Sequence, residues 1–487
     1  MPNERREGLD SLFNARNIVV IGASADIRKW GNIIPGNIIG GGFKGHIYLV
    51  NPRVDFVHGI QVHRCVGEIE DELDLAMLAV PASQVAGAIR ECGECGVKAA
   101  IVITAGYSEA GAQGAGEEKA LVELARSYGM KLVGPNTMGI YSGPSSLSAL
   151  MPPVRPRPGA IAFGSQSGNL GTQMLGWGSY RNIGFSRFVC IGNEADIGFT
   201  DYLDFFHRDA ATRVILFYVE GMKDPRGFLE RARGVTSEKP IVLYKAGGSG
   251  AGRQAAASHS AALAGDQEVY EGFMRQLGVI KAETTEEMLD FSDALVKMPV
   301  PAGNRVGILT WGGGWGVVTA DLCERNGLEV AALPSETKRE IGRILPSYWS
   351  WNNPVDLVGL FDIEAHLRCL ELMVACDAFD SVISLGSINA NAWMRQMLER
   401  EWSSMTEVER EAAVERINSL SGVFIAKVAE LVDTYGKPVI TVGMPQRAED
   451  AKEMPGAARL CLYMQPESAV RVAAMLWQRA AHLKGLQ

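Results

Sequence analysis

A single histidine within a segment of small residues is the side chain of this sequence best suited to carry a transferable group. His259 stands between Ser258 and Ser260, downstream of a glycine-rich stretch and of an apolar run, Pro240 to Tyr244, that predicts a buried strand. Because no bulky residue surrounds it locally, an imidazole on this loop can accept a group and pass it on. The alternative interpretation is that Ser258 caps a short alanine-rich helix and His259 lies in its first turn.

Three stretches of the sequence share the order apolar strand, glycine-containing loop, helix. They are Asn17 to Ser24, Gly159 to Gly168 and Arg305 to Gly316. Each opens a region in which short apolar runs alternate with helical patterns, which predicts α/β regions with parallel sheets. Proline-rich segments at 151–158 and 298–302 place domain boundaries near residues 150 and 300. The glycine turns either present the N–H groups of the following helix to an anion or serve only tight packing.

The first of these regions has the features of a nucleotide site. Its glycine turn is not the full dinucleotide fingerprint, and the second strand ends at Arg53, where a site for NAD would need an acidic residue. An arginine there suits a ribose phosphate, which both NADP and coenzyme A carry, or it is a solvated surface cation. The candidate ligand residues at the strand ends are Gly22, Ala23, Ser24, Arg53, Val80, Pro81, Thr104 and Asn136.

Composition narrows the function class. The chain has 487 residues, a net charge of −9 and 47% hydrophobic residues, which is typical of an acidic globular protein and argues against a nucleic-acid partner. No apolar run has the length of a membrane helix, and the charged start lacks a signal-peptide core. Eight scattered cysteines fit a reducing cytoplasm. Cys92 and Cys95 lack a second pair or a nearby histidine, so we expect packing in a helix and no metal site.

The order of motifs along the chain resembles the ADP-forming acetyl-CoA synthetases, which belong to the acyl-CoA synthetase group that includes succinyl-CoA synthetase. The resemblance extends from about residue 10 to residue 480, and its combined order is more specific than any single motif. The motifs are Phe13-Asn-Ala-Arg-Asn-Ile-Val-Val-Ile-Gly-Ala-Ser24, Val50-Asn-Pro-Arg53, Ala79-Val-Pro-Ala82, Gly134-Pro-Asn136, Ser165-Gln-Ser-Gly168, Gly192-Asn-Glu-Ala-Asp196, Glu220-Gly221, Ser258-His259-Ser260 and Asn353-Pro-Val-Asp356.

This resemblance implies a Rossmann-like CoA-binding domain over 1–150, a flavodoxin-like phosphohistidine domain over 151–300 and a second flavodoxin-like ligase domain over 301–487. It also implies that His259 is phosphorylated during turnover and that Glu220 hydrogen-bonds it. Two glycine loops then become a cradle for the phosphoryl group, formed by Ser165, Gln166, Ser167 and Gly168 and by Gly313 and Gly314. Asn169, Thr172 and Asn193 are candidate substrate residues, although they equally suit turns and caps.

The chain departs from the family pattern at several points. Ala261 stands where the family has glycine, Trp315 replaces a proline in the third glycine loop, and the segment Asn389 to Trp393 does not align securely. Nothing in the sequence resembles the ATP-grasp domain of the fused relatives, which needs roughly 200 residues. The resemblance therefore implies an α subunit that works with a separate ATP-grasp β subunit, which would bind ATP or ADP and Mg²⁺.

The leading hypothesis is thus an acid–thiol ligase subunit that uses coenzyme A, a small carboxylic acid and phosphate, with acyl phosphate and phosphohistidine as intermediates. The second hypothesis is a CoA-binding regulatory subunit that transfers nothing, which the Trp315 and Ala261 departures favour. The third is an NADP oxidoreductase, which Arg53 permits, although the sequence has no evident hydride-transfer signature.

Overall fold

The computed structural model describes residues 2–252, 254, 267–360, 362–386, 406–443 and 459–485. The chain divides into two compact units, Met1–Ser292 and Asp293–Gln487. The first unit contains two β-sheets and the second contains one, and helices connect the parallel strands of each. The predicted α/β class with three parallel regions is confirmed. Among the described helices, none combines the length and the apolar character that a membrane crossing requires.

The first sheet is doubly wound. Its strand order is 4-2-1-5-6-7 with all neighbours parallel, and strand 3 adds an antiparallel edge beside strand 4. Its strands are β1 (Asn17–Ile21), β2 (His46–Val50), β3 (Phe56–Val57), β4 (Ile60–His63), β5 (Leu75–Leu78), β6 (Ala99–Val102) and β7 (Lys131–Val133). Its helices are α1 (Pro2–Phe13), α2 (Trp30–Gly40), α3 (Ala82–Glu94) and α4 (Ala112–Ser127), with 3-10 turns at Val66–Glu68 and Ser108–Ala110.

The second sheet has five parallel strands and an antiparallel hairpin at one edge. The strands are β8 (Gly139–Ser142), β9 (Leu147–Leu150), β10 (Arg157–Ser165), β11 (Gly184–Cys190), β12 (Val214–Val219), β13 (Ile241–Lys245) and β14 (Ile280–Lys281), in the order β14-β13-β12-β10-β11-β8-β9. The helices are α5 (Gly168–Tyr180), α6 (Phe199–Arg208), α7 (Pro225–Glu238), α8 (Gln267–Gln276) and α9 (Thr285–Lys297). Strands β8 and β9 lie before the predicted boundary near residue 150, yet they pair with the second sheet. The domain boundaries near residues 150 and 300 therefore remain predictions.

A buried arginine joins α1 to the second sheet. The guanidinium of Arg187, which is 4% exposed, makes a two-pronged ion pair with Asp209 at 3.0 and 3.1 Å. It also donates to the carbonyl of Phe13 at 3.0 Å, at the last residue of α1. The Phe13 ring stacks on Phe205 with centroids 4.8 Å apart. Such a pair stabilises a buried charge only because its other donors are also satisfied.

The third sheet repeats the topology of the second. Its strands are β15 (Arg305–Thr310), β16 (Glu329–Val330), β17 (Val355–Asp356), β18 (Ser381–Leu385), β19 (Val439–Val442) and β20 (Cys461–Tyr463), in the order β16-β15-β18-β19-β20 with β17 paired to β15. Its helices are α10 (Gly313–Arg325), α11 (Ser335–Ile341), α12 (Ile363–Ala375), α13 (Glu407–Tyr435) and α14 (Pro466–Gly485). Counted along the parallel strands, both sheets have the flavodoxin-like order 2-1-3-4-5.

Each sheet has one point at which the strand order reverses. These points lie between β1 and β5, between β10 and β12, and between β15 and β18. Chains leaving the carboxyl ends of two such strands diverge to opposite faces of the sheet, and the crevice between them is where open α/β sheets bind ligands. The reversal points therefore direct attention to the residues that follow these six strands.

Candidate functional site

At the first reversal point, a glycine turn brings two strands and a helix close together. Gly22 has φ +95°, and a side chain there would place Cβ 2.4 Å from the carbonyl oxygen of Ala79. A side chain at Gly31, in the first turn of α2, would meet the carbonyl of Gly22 at 1.9 Å. The backbone N–H of Gly22 donates to the carbonyl of Val50 at 2.9 Å. Close packing alone therefore requires a glycine at position 22. This agrees with the alternative interpretation of the glycine turns, in which they serve tight packing.

A cavity of about 520 Å³ in the first unit has a size that suits a ligand. Strand ends of the first sheet form one side of it, and the loop between β10 and α5 forms the other. Its lining comprises Trp30, Ala79, Val80, Ile103, Thr104, Ala105, Asn136, Thr137, Met138, Met151, Gln166, Ser167, Gly168 and Asn169. This size is within the usual range for small-molecule and cofactor pockets.

The cavity brings together predicted residues that are far apart in the sequence. Of the predicted CoA residues, Val80, Thr104 and Asn136 line it, whereas Gly22, Ala23, Ser24, Arg53 and Pro81 do not. Of the predicted phosphate and substrate residues, Gln166, Ser167, Gly168 and Asn169 line it, whereas Ser165, Thr172 and Asn193 do not. Sequence reasoning missed Trp30, Met138 and Met151, which carry no motif and lie here only because of the tertiary arrangement.

Hydrogen bonds between strand ends shape the CoA-domain side of the cavity. The Thr104 hydroxyl donates to the carbonyl of Val80 at 2.6 Å, and the Asn136 N–H donates to the carbonyl of Thr104 at 3.0 Å. Asn136 has φ +59°, a left-handed conformation that asparagine tolerates better than most residues. Its side-chain amide donates to the side-chain oxygen Oδ1 of Asn193 at 3.3 Å, so this loop is held in place from the second sheet.

The opposite side of the cavity is the beginning of α5. Ser167 is the cap of this helix, and its hydroxyl accepts from the N–H of Leu170 at 3.4 Å. The hydroxyl of buried Ser165 donates to the carbonyl of Ser167 at 2.6 Å, which fixes the turn. Thr172 is buried and donates to the Gly168 carbonyl at 2.9 Å. The N–H groups of Gly168 and its neighbours begin a helix beside the cavity, where an anion is stabilised.

Glu220 lies beside this turn, at the second reversal point. It follows β12, it is only 8% exposed, and its backbone N–H donates to the Gln166 side-chain oxygen at 2.8 Å. The ammonium of Lys245 donates to the Glu220 carbonyl at 2.6 Å, and burial lowers the pKa of Lys245. Glu220 is therefore a buried residue and not a solvated loop carboxylate.

The loop after β11 holds the two sheets of the first unit together. The Asn193 amide donates to Glu118 at 2.9 Å and also contacts Glu109, both on the first-sheet side. The next residue, Glu194, is buried, has φ +54° and accepts from the N–H groups of Phe199 and Lys223 at 3.3 Å. Burial raises the pKa of Glu194 to about 7. Sequence reasoning missed Glu194 as a buried acid, because only the tertiary contacts desolvate it.

The third reversal point lies in the second unit. Gly313 and Gly314 open α10, and the cap residue Gly312 contributes no side chain. The indole N–H of Trp311 donates to Nδ1 of His366, whose Nε2 lies 3.1 Å from the Ser384 hydroxyl. His366 is completely buried, and burial lowers its pKa to about 3, so the ring is neutral and Nε2 carries the proton. The sequence analysis did not identify this hydrogen-bonded group of Trp311, His366 and Ser384, because no sequence motif indicates it.

Several predicted positions lie outside the described residues. They are His259 with Ser258, Ser260 and Ala261, and the segment 389–393. The strand expected before the histidine loop is confirmed as β13, Ile241–Lys245. Cys92 lies on α3 in a core cluster, where burial raises the pKa of its thiol. Its contacts are those of a packed core residue.

Family models match most of the first unit. A model described as a CoA binding domain matches residues 16–142. A second, described as a succinyl-CoA ligase like flavodoxin domain, matches residues 158–295. The two matches cover the first sheet and the parallel strands of the second, and they favour coenzyme A over NADP as the ligand of the first sheet.

Relatives among characterised proteins span the whole chain. The α subunit of ADP-forming acetate–CoA ligase II from Pyrococcus furiosus is 37% identical over 480 residues, which is 98% of this chain and 99% of that protein. The α subunit of ligase I from the same organism is 43% identical over 358 residues, 73% of this chain and 77% of that protein. A single-chain ADP-forming acetate–CoA ligase from Archaeoglobus fulgidus is 40% identical but is matched over only 54% of its length.

A solved structure agrees with these relatives. The dinucleotide-forming acetyl-coenzyme A synthetase 1 of Candidatus Korarchaeum cryptofilum, in complex with phosphate and ADP, superimposes with a TM-score of 0.83 at 33% identity, covering 99% of each chain. The resemblance found in the sequence is thus confirmed. Because relatives of this kind align over nearly the full length, this chain belongs to the family of the ADP-forming acetate–CoA ligases and corresponds to their α subunit.

Proposed function

We propose that this chain is the CoA-binding and phosphoryl-carrying subunit of a ligase that makes acyl-CoA, ADP and phosphate from a carboxylic acid, CoA and ATP, reversibly. The observation that carries the proposal is the 520 Å³ cavity, in which strand ends of the CoA-type sheet face the beginning of α5. One end of such a cavity suits the thiol arm of CoA, and the other suits an oxyanion. An acyl phosphate that forms between these two ends of the cavity would lie beside the CoA thiol.

In this proposal, different parts of the cavity bind different parts of the substrates. Val80, Thr104 and Asn136 contact CoA within the cavity. The turn Gly22–Ser24 and Arg53 bind the phosphates of CoA outside it. Ser165 shapes the turn in which Gln166, Ser167 and Gly168 bind phosphate, and Asn169 contacts the acid. In the second unit, the N–H groups of Gly313 and Gly314 at the beginning of α10 are a separate candidate set of phosphate donors. Thr172 and Asn193 support the cavity walls, since their side chains are occupied by protein partners.

The chemistry is clearest in the direction that starts from acyl-CoA. A phosphate oxygen attacks the thioester carbon, the C–S bond breaks, and the sulfur leaves as the CoA thiol after taking a proton. A ring nitrogen of His259 then attacks phosphorus, and the P–O bond to the acyl group breaks to release the carboxylate. Glu220 holds the proton on the other ring nitrogen, which keeps the attacking lone pair free. Positioning and charge stabilisation account for most of the rate.

The rest of the reaction belongs to a partner. A separate ATP-grasp β subunit would supply the ATP or ADP site and Mg²⁺, and the histidine loop would deliver the phosphoryl group to it. The relatives from Pyrococcus furiosus are named as α subunits of acetate–CoA ligases. The word subunit supports a partner, and the acetate in the names supports a small carboxylic acid as substrate. We place the reaction in the cytoplasm, where acyl-CoA and ATP are available.

Two readouts of one incubation test the proposal. The chain is mixed with acetyl-CoA and radiolabelled phosphate, and CoA thiol release and acid-labile protein label are measured. We expect phosphate-dependent thiol release in wild type and in His259→Ala, with label only in wild type. A CoA-binding subunit without phosphoryl transfer would bind CoA in calorimetry yet give neither signal. Equal label in His259→Ala would assign the phosphoryl group to another residue.

A further inference from the structure

The second reversal point places two polar residues side by side. Gln166 is the first residue after β10, Glu220 is the first residue after β12, and the two strands are parallel neighbours in which Ser165 pairs with Tyr218. The chain therefore leaves both strands at the same sheet edge. The N–H of Gln166 donates to the Tyr218 carbonyl at 3.1 Å, which continues the pairing by one residue.

The side chain of Gln166 then connects the two loops. Its Oε1 accepts from the N–H of Glu220 at 2.8 Å and from the N–H of Gly221 at 3.0 Å. A carbonyl oxygen has two lone pairs, so both are used. These bonds also settle the orientation of the amide, because only the oxygen can accept from two backbone donors.

The other end of the same amide is available to a ligand. Gln166 is partly buried and lines the cavity. Within the described part of the chain, Nε2 of Gln166 has no protein acceptor at hydrogen-bond distance. With Oε1 held by two donors, Nε2 keeps two N–H groups for an acceptor such as a phosphate or acyl-phosphate oxygen. One side chain thereby contacts both the proposed anion site and the backbone of the proposed histidine partner.

We propose that Gln166 is a positioning residue that sets the Glu220 carboxylate for its work on His259 and aligns it with the anion bound at the start of α5. This inference rests on the proposed function. Lys245 also holds the Glu220 carbonyl and Glu194 holds the N–H of Lys223, but neither lines the cavity. Of these three residues, all within the described part of the chain, Gln166 is the one that both binds the backbone at Glu220 and lines the cavity.

A double-mutant cycle distinguishes positioning from an independent role. The rate of acid-labile labelling of His259 is measured in wild type, Gln166→Leu, Glu220→Gln and the double variant. We expect Gln166→Leu to lower the limiting rate by about 10- to 100-fold, since a misplacement of about 1 Å has effects of that size. In the Glu220→Gln background the same change should cost less than about threefold, because residues that act through one another are not additive. Effects that multiply in the double variant overturn the proposal.

Gln166→Glu separates the two ends of the amide and covers the case that Gln166→Leu fails to fold. It keeps an oxygen acceptor for Glu220 and Gly221 but replaces the Nε2 donor with negative charge. We expect the half-saturating phosphate concentration to rise about tenfold or more, with a limiting rate above that of Gln166→Leu. An unchanged phosphate requirement would contradict the proposal.

The control is Gln113→Leu, which removes an exposed glutamine on α4 whose side chain donates to Glu117 on its own helix at 3.1 Å. It should label like wild type. A wild-type chain that does not label defeats the proposed function, whereas labelling of Gln166→Leu at the wild-type rate defeats only the role of Gln166.

Discussion

The second and third sheets share the order of their five main parallel strands and the turn after the first of these, β10 and β15. They nevertheless place different side chains at the reversal point. In the second sheet the hydroxyl of Ser165 donates to the carbonyl of Ser167 at 2.6 Å. In the third sheet the hydroxyl of Thr310 donates to the carbonyl of Gly312 at 2.9 Å. The residue enclosed by these equivalent turns is Gln166 in one sheet and Trp311 in the other.

The side chain at this single position has different contacts in the two sheets. Gln166 binds the backbone after β12 and lines a cavity, so its turn connects polar groups to a place for a ligand. Trp311 directs its indole N–H to a histidine that is completely buried, so its turn is anchored in a core. At this one position the same topology thus carries a side chain that links to a ligand cavity in one sheet and a structural scaffold side chain in the other, because function depends on the residues placed on a fold.

The largest expected effect is on phosphoryl transfer at the turn of the second sheet. Glu220→Gln keeps the size of the side chain and the contact with Gln166 but removes the carboxylate that holds the histidine proton. We expect the rate of His259 labelling to fall on the order of 10²- to 10⁴-fold with little change in thermal stability. Glu230→Gln, an exposed change on α7, is the control. Labelling of Glu220→Gln within threefold of wild type would remove Glu220 from the mechanism.

The next largest effect is on the stability of the second unit, where His366 anchors the turn of the third sheet. His366→Ala leaves a cavity against Phe424 and removes the hydrogen bonds that the ring makes with Trp311 and Ser384. We expect the second unit to lose about 3 kcal/mol of unfolding free energy, measured by urea unfolding. His207→Ala removes a partly exposed histidine that pairs with Glu238 and should change stability by less than about 0.5 kcal/mol. A loss no greater than that of the control would contradict the anchoring role.

The two regions should also respond to pH with opposite sign. Burial raises the pKa of Glu194 from 4.5 to about 7, so between these values the native first unit retains a proton that the unfolded chain has released. The first unit therefore loses stability as pH rises through that window. Burial lowers the pKa of His366 from 6.5 to about 3, so only the unfolded chain is protonated between them. The second unit loses stability as pH falls below 6.5.

Each of these two groups should contribute a slope of at most about 1.4 kcal/mol per pH unit. His482, whose pKa burial also lowers, adds to the slope of the second unit in the same direction. Urea pulse proteolysis with peptide mapping, at a series of pH values, follows the two units separately. Glu109 and Asp209 have lowered pKa values and therefore titrate below the Glu194 window. Glu194→Gln should flatten the slope of the first unit alone. A first unit that gains stability as pH rises from about 5 to about 7 would show that Glu194 is ionised in the native state.

The smallest expected effect concerns the departure at Trp315. This residue is 54% exposed in the first turn of α10, and its N–H donates to the Gly312 carbonyl at 3.2 Å. The first turn of a helix tolerates proline, so Trp315→Pro should destabilise the second unit by less than about 1 kcal/mol. The labelling rate should stay within about twofold of wild type. A tenfold change in labelling would indicate that the tryptophan is part of the reaction.

Much of the fold was predictable because apolar runs, glycine turns and helices alternate in a regular order. The strand ends Val80, Thr104 and Asn136 were predictable for the same reason, since carboxyl ends of parallel strands meet at one edge. The turn Gln166 to Gly168 was predictable because a glycine opens the helix after a strand. Such local signals locate the two sides of the cavity.

The remaining features depend on contacts between distant parts of the chain. Met138 and Met151 flank the β8–β9 hairpin and line the cavity only because that hairpin joins the second sheet. Glu194 becomes a buried acid, and His366 a neutral buried base, through packing that composition and spacing do not encode. The link from Gln166 to Glu220 required the register of β10 against β12.

Peptide mapping of the labelled chain tests the central claim, that His259 carries the phosphoryl group, most directly. The chain is labelled from acetyl-CoA and phosphate, digested at alkaline pH where phosphohistidine survives, and analysed by tandem mass spectrometry. The account predicts that His259 is the phosphorylated residue among the seven histidines and that His366 is unmodified. Phosphate on any other residue, or a wild-type chain that releases CoA thiol and remains unphosphorylated, would contradict it.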